Sequence, residues 1–193
     1  MDVSGSLRAH WKDEKTFVEK LAQAINISPA GGHAAVTIFS ARSRKYRIRK
    51  DAELKIKFSD YTTFYNPDRP LNSFKEAVNT LPYWGGGTRI DSALNLALNE
   101  MFQTSNGMRQ DVPKTCVLIT DGKQSRRYTR RYARLARKFQ KAKIRMIAIG
   151  VGKVNKRDLR KLVGSRRNLH LAKDFDALLK DSFIKRITVC NGT

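Results

Sequence analysis

Asp2, Ser4 and Ser6 fall within five residues in the segment DVSGS, Thr88 closes the glycine run GGGT, and Asp121 sits before a glycine in LITDG. These two carboxylates and three hydroxyls, with no histidine or thiol among them, are hard oxygen donors. Such a set suits Mg²⁺, Mn²⁺ or Ca²⁺ and not zinc. Each segment alone makes a turn as readily as a site, because Asp-Gly and Ser-Gly clusters are ordinary turn formers. Their placement gives them meaning: they end strands or follow glycine turns, and open α/β sheets bind ligands outside the carboxyl ends of their strands.

Catalysis has little support in the same residues. His10, His33 and His170 are scattered, with no Ser, Cys or Asp set beside one in a recognisable arrangement. Gly85-Gly86-Gly87 lacks the Lys-Ser/Thr that completes a phosphate loop. A binding role is expected, and not an enzyme.

The elements that must position these loops can be traced along the chain. Trp11, Phe17, Val18, Leu21, Ala22 and Ile25 recur at three- and four-residue steps, which predicts an amphipathic helix over 11–27, stopped by Ser28-Pro29 and Gly31-Gly32. AAVTIFS (34–40) reads as a buried strand, and ELKIKFSD (53–60) as a half-exposed edge strand. Between them ARSRKYRIRKDA has six basic residues and one acid, which predicts a long solvated connection or extended hairpin. LNSFKEAVNTLPYW predicts a short helix ending near Pro82, and IDSALNLALNEMF (90–102) a second. KTCVLIT and IRMIAIGVG are buried strands, NLHLA is the last strand, and KRDLRKLV and FDALLKDSFIKRI are helices. Within SRRYTRRYARLARKFQKAK, the residues Tyr128, Tyr132, Leu135, Ala136 and Phe139 are expected to face the core. Strands alternating with helices, apolar on both faces, predict an α/β doubly wound, Rossmann-like sheet, mostly parallel, with one antiparallel edge strand and helices on both faces. One domain spanning 1–193 is expected, with a tail from about residue 187, since domains commonly hold about 100 to 200 residues.

With these elements in order, the chain resembles the von Willebrand factor type A family. DVSGS looks like its D-x-S-x-S metal loop, PYWGGGT like its second metal loop and LITDG like its third. The overall look is nearest to the modules of matrilins and non-fibrillar collagens, and the resemblance covers almost the whole chain. It implies a metal-ion-dependent adhesion site at Asp2, Ser4, Ser6, Thr88 and Asp121. In the family the serines bind the ion directly, the threonine and aspartates bind directly or through water, and a ligand carboxylate completes the octahedron. Mg²⁺ is the first expectation, with Ca²⁺ or Mn²⁺ as alternatives.

Charge indicates the kind of partner. Thirty-nine Lys+Arg against 17 Asp+Glu leave a formal charge of +22, which favours anionic partners. No acid occurs between Asp121 and Asp158. A basic face is expected there from Lys123, Arg126, Arg127, Arg130, Arg131, Arg134, Arg137, Lys138 and Lys141. Solvated helix faces normally mix signs, and this one does not.

The compartment is argued indirectly. No run of about 18 apolar residues predicts a membrane span. Cys116 reads as a core thiol, while Cys190 is expected to seek a partner outside the segment, which points to secretion. The sequons at Asn26 and Asn191 lean the same way. In the family the first metal loop ends a buried central strand, yet Met1 alone precedes Asp2, so truncation of that strand is expected. These features together predict a secreted matrix adhesion module for an acidic protein, a sulfated glycan or a mineral-associated polymer, with collagen among the partners considered. The alternatives are an intracellular scaffold holding nucleic acid or a protein complex on the arginine-rich helix, and a matrix protein of mineralised tissue.

Overall fold

Apolar runs too continuous for a one-sided sheet require cover on both faces, and the computed structural model gives them that cover. It describes residues 1–45, 47–60, 70–121, 124 and 126–188, with only the backbone of Pro70 and Arg126. The order is α1 (Trp11–Ala24), β1 (Val36–Phe39), β2 (Ala52–Ile56), α2 (Pro70–Asn79), α3 (Ile90–Leu96), β3 (Lys114–Thr120), α4 (Arg126–Thr129), α5 (Tyr132–Lys141), β4 (Ile144–Val151), α6 (Lys156–Val163), β5 (Leu169–Ala172), α7 (Phe175–Leu178) and α8 (Asp181–Thr188).

β3, β4 and β5 form a parallel ladder, in register from Lys114 opposite Ile144 to Thr120 opposite Gly150. Successive residues of a strand point to opposite faces. On β4, Met146 and Ala148 therefore pack with Leu135, Phe139, Leu159 and Leu162 of α5 and α6, while Ile147 and Ile149 pack with Phe17, Phe183 and Ile187 of α1 and α8. The doubly wound architecture follows from that alternation. β1 pairs with β2 antiparallel, so β2 is the expected antiparallel strand.

The two ladders meet at the start of the chain. Phe39 N–H donates to the Met1 carbonyl at 3.1 Å and Val3 N–H to the Phe39 carbonyl at 2.9 Å, which lays Met1–Val3 parallel against the end of β1. Among the described residues no ladder joins β1 directly to β3. An apolar cavity of about 490 Å³ lies there, lined in part by Val36, Phe39, Cys116 and Leu118.

Several predicted boundaries shift. α1 stops at Ala24, and Asn26 turns into the left-handed region at φ 51°. The helix from Ile90 continues beyond Leu96 as a π-helical turn, Ala97–Met101. The closing helix divides into α7 and α8 around Leu179-Lys180, and the arginine-rich helix into α4 and α5 at Arg130-Arg131. That second break coincides with Arg131 turning towards the protein, where its Nη1 donates to Asp91 Oδ2 at 2.9 Å.

Asp91 is fully buried and collects most of the polar contacts that tie α3 to its surroundings. Arg89 donates to its two oxygens from Nε at 2.8 Å and Nη2 at 3.2 Å, and Gln124 Nε2 donates to Oδ1 at 3.2 Å. Arg89 Nη1 also donates to Asp51 Oδ2 at 2.8 Å, and Tyr132 Oη to Gln124 Oε1 at 3.0 Å. Arg89 directly follows Thr88, and Gln124 stands three residues after Asp121, so this network holds the segments that flank the second and third metal loops. Removing one partner of a buried ion pair leaves an uncompensated charge. Asp91→Ala is therefore expected to lower unfolding stability by about 3 kcal/mol, read as a lower urea midpoint at unchanged slope.

Candidate metal centre

The first metal loop is built by short-range bonding. Ser4 N–H donates to Asp2 Oδ1 at 3.0 Å, and the chain then enters a 3₁₀ turn, Gly5–His10. The Oγ atoms of Ser4 and Ser6 lie 3.3 Å apart. Loop one is bonded to loop two twice: Gly5 N–H to the Gly86 carbonyl at 2.8 Å, and Gly85 N–H to the Val3 carbonyl at 2.9 Å. A Cβ on Gly86, at φ +82°, would come within 3.0 Å of both the Ala41 carbonyl and Ile48 Cδ1, so the crossing requires glycine. Tyr83 Oη donates to the Ser4 carbonyl at 2.6 Å. The third loop is tied in by Thr120, whose hydroxyl donates to Asp2 Oδ2 at 2.7 Å immediately before Asp121.

All five predicted donors thus lie on loops that bond to one another at the carboxyl ends of the strands. Asp2, Ser4, Thr88 and Asp121 are buried, and Ser6 is exposed. Burial pushes the Asp2 carboxyl up to about 6, with hydrogen bonds from Thr120 and Ser4 opposing the rise and the Asp121 charge adding to it. Behind Asp2 stands Glu14, fully buried, whose Oε1 accepts the Asp2 N–H at 2.9 Å. Burial pushes Glu14 up to about 8; the Met1 amino group opposes this, and Asp2 and Asp121 add repulsion.

Three acidic groups gathered in one partly dehydrated region, where burial disfavours the charge on Asp2 and Glu14, form an environment that a divalent cation would relieve. The donors fit such an ion. Among the described residues no group of three or more His, Cys, Asp or Glu comes together as a metal cluster, so any ion here relies on the hydroxyls as well.

The model of the von Willebrand factor type A domain matches residues 1–184. The chain belongs to that family. It is 24% identical over 195 residues to the collagen alpha-1(XII) chain of Notophthalmus viridescens, a match that covers the whole of this chain and 19% of that one. It is 28% identical over 118 residues to matrilin-1 of Gallus gallus, covering 58% of this chain and 23% of that one. The chain thus spans about a fifth of the length of these relatives. Among solved structures, proximal thread matrix protein 1 of the mussel byssus, with a zinc-occupied metal-ion-dependent adhesion site motif, superposes with a TM-score of 0.78. The identity is 20%, with 97% of this chain and 45% of that one covered.

The basic face of this von Willebrand factor type A domain is only partly as expected. Arg127, Arg130, Arg134, Arg137, Lys138 and Lys141 are exposed. Arg131 departs from the expectation, since part of its charge is spent on Asp91. Tyr128 departs as well: it is half-buried and not a core residue, with the Arg89 guanidinium 4.1 Å from its ring centroid and those of Arg127 and Arg131 at 5.8 and 5.9 Å. Asn26 is exposed. Lys123, the Arg126 side chain, Cys190 and Asn191 lie outside the described residues. Cys116 is a buried free thiol, as expected.

Sequence reasoning missed Glu14, Asp91, Gln124 and Tyr83. Glu14 was the most legible of them, as an acid one turn before Phe17 and Val18 on the inward side of α1.

A proton and a divalent cation would compete for Asp2. Its folded value lies above that of an ordinary aspartate, so the proton leaves only as pH rises through about 6. Calorimetric titration of Mg²⁺ or Mn²⁺ is expected to show affinity level above that pH and falling about tenfold per unit below it. An aspartate with an ordinary value would sustain affinity down to about pH 4.

Proposed function

We propose that this domain is an extracellular matrix adhesion module that binds an acidic group of its partner through a divalent cation. Asp2, Ser4, Ser6, Thr88 and Asp121 would hold the ion, with Mg²⁺ as the first choice. The observation that carries this reading is the mutual bonding of the three metal loops around the buried Asp2 and Asp121 carboxyl groups. A bound ion would supply a positive centre with an exchangeable position for an oxygen ligand. The protein's part is to fix the donors: Thr120 and the Ser4 amide orient Asp2, and Tyr83 fixes the first loop.

The matrix setting is supported by the collagen and matrilin relatives and by the structural likeness to proximal thread matrix protein 1 of the mussel byssus. No helix among the described residues is long and apolar enough to cross a membrane. The role is binding and not catalysis. The exposed arginines of α5 form a flank for sulfated glycan or acidic protein. Nucleic acid fits this flank less well. Base stacking needs an open aromatic face, and Tyr128 lies beneath the Arg89 guanidinium.

Binding of an aspartate-bearing peptide in Mg²⁺ is expected to fall to background with chelator and with Asp121→Ala. Capture of heparin by α5 is expected to survive both and to fade between low and high salt. Peptide binding indifferent to chelator and to Asp121→Ala would overturn the metal reading.

A further inference from the structure

The connection between β1 and β2 is a second cationic feature, separate from α5. Residues 42–50 contain Arg42, Arg44, Lys45, Arg47, Arg49 and Lys50 and no acid. The hairpin is closed by reciprocal backbone bonds between Ser43 and Ile48, at 3.1 and 2.8 Å, and its turn has Arg47 in the left-handed region. Ile48 is buried and anchors the hairpin. Arg42, Arg44, Arg47 and Arg49 are exposed and, with Ser43 and Ile48, line an open cleft of about 730 Å³. Among the described residues no acidic side chain lies within ion-pair distance of Arg44, Arg47 or Arg49, whereas Arg42 pairs with Asp51 at 3.6 Å.

The hairpin is fixed to the metal rim. Ala41 N–H donates to the Gly87 carbonyl at 2.6 Å, one residue before Thr88. Ile48 Cδ1 and the Ala41 carbonyl close over Gly86. At the base, Asp51 Oδ1 accepts the Arg42 N–H at 2.8 Å, while its Oδ2 is held by Arg89. Three guanidinium groups without an acidic partner among the described residues therefore stand on a braced support that is bonded directly to the second metal loop. Such groups repel one another, and guanidinium pairs well with carboxylate.

We propose that the hairpin is a second anion subsite beside the metal rim, and that the ligand is a peptide segment with clustered carboxylates. One carboxylate occupies the ion, and its acidic neighbours engage Arg44, Arg47 and Arg49. This rests on the metal-dependent reading above and adds to it the chemistry that selects among acidic ligands. A lone carboxylate gains nothing from the hairpin; an Asp- or Glu-rich stretch gains several exposed pairs, each worth about 0.2 to 1 kcal/mol.

The test compares an octa-aspartate peptide with a Gly/Ser peptide of the same length that holds one aspartate, by biolayer interferometry in Mg²⁺ and in chelator. Octa-aspartate is expected to bind about tenfold more tightly to the wild type, in line with several surface pairs. The triple variant Arg44→Gln, Arg47→Gln, Arg49→Gln should bring the two peptides to within about twofold while leaving the single-aspartate peptide unaffected. Its melting temperature serves as the check on folding. A variant with the same charge loss on α6, Lys156→Gln, Arg157→Gln, Arg160→Gln, should keep the preference. The proposal is overturned if the hairpin variant keeps the preference, or if the α6 variant loses it equally, which would indicate diffuse attraction. It is also overturned if the hairpin variant loses heparin hexasaccharide binding but not octa-aspartate, which would make the cleft a glycan site. Failure of the metal reading is seen separately, as single-aspartate binding that does not respond to chelator; in that case the hairpin contribution is still read from octa-aspartate in chelator.

Discussion

The buried carboxylate of Asp2 is the constraint on which the other parts of the site depend. Burying an ionised group is costly unless its oxygens are satisfied. Here each oxygen has a donor, Ser4 N–H for one and the Thr120 hydroxyl for the other. Those two donors come from opposite sides of the gap between the β1–β2 ladder and the β3–β4–β5 ladder. The bond from Thr120 therefore does structural work as well as electrostatic work, because no ladder joins β1 to β3 among the described residues. The same hydrogen bond that aims the first metal loop also ties the two parts of the sheet together at their carboxyl ends.

Charge is distributed with the opposite logic away from the site. Acids are few, and several near the metal loops are engaged: buried Asp2 with its two donors, buried Asp91 with Arg89, Arg131 and Gln124, and half-buried Asp51 with Arg42 and Arg89. The surplus arginines are left exposed on α5 and on the β1–β2 hairpin. A solubilising surface would intersperse the two signs. The protein instead uses its acids to brace the loops and leaves guanidinium groups available on the rim and flank.

Fold class was legible because it rests on periodicity, and periodicity is local. VTIF, KTCVLIT and IRMIAIGV are apolar on both faces, as strands covered by helices must be. The candidate donors could be named for a similar reason, since D-x-S-x-S, GGGT and TDG are contiguous segments. What could not be read is long-range polar pairing. Arg131 fitted an exposed basic face by its spacing, and its pairing with Asp91 joins residues 40 positions apart. Tyr128 fitted a core stripe by its spacing, yet it serves as a platform for arginines, one of which comes from the second metal loop. The division of the closing helices falls in the same class, since helical periodicity passes unbroken through both breaks. Glu14 could be placed on the inward side of α1 by its spacing, but its partner, the Asp2 N–H twelve residues away, could not.

The repulsion among Asp2, Asp121 and Glu14 also links recognition to stability. A cation that binds the folded domain and not the unfolded chain stabilises it by an amount that grows with the logarithm of its concentration. Because burial raises the Asp2 carboxyl to about 6, loading an ion below that pH would also release its proton. An ion held there would offset the charge buried at Asp2, on the residues that join the two ladders. A partner carboxylate would add negative charge to that balance, so it would be tolerated best where positive potential lies close by. The arginine hairpin, bonded to the second metal loop through Gly87, places such potential on the same rim.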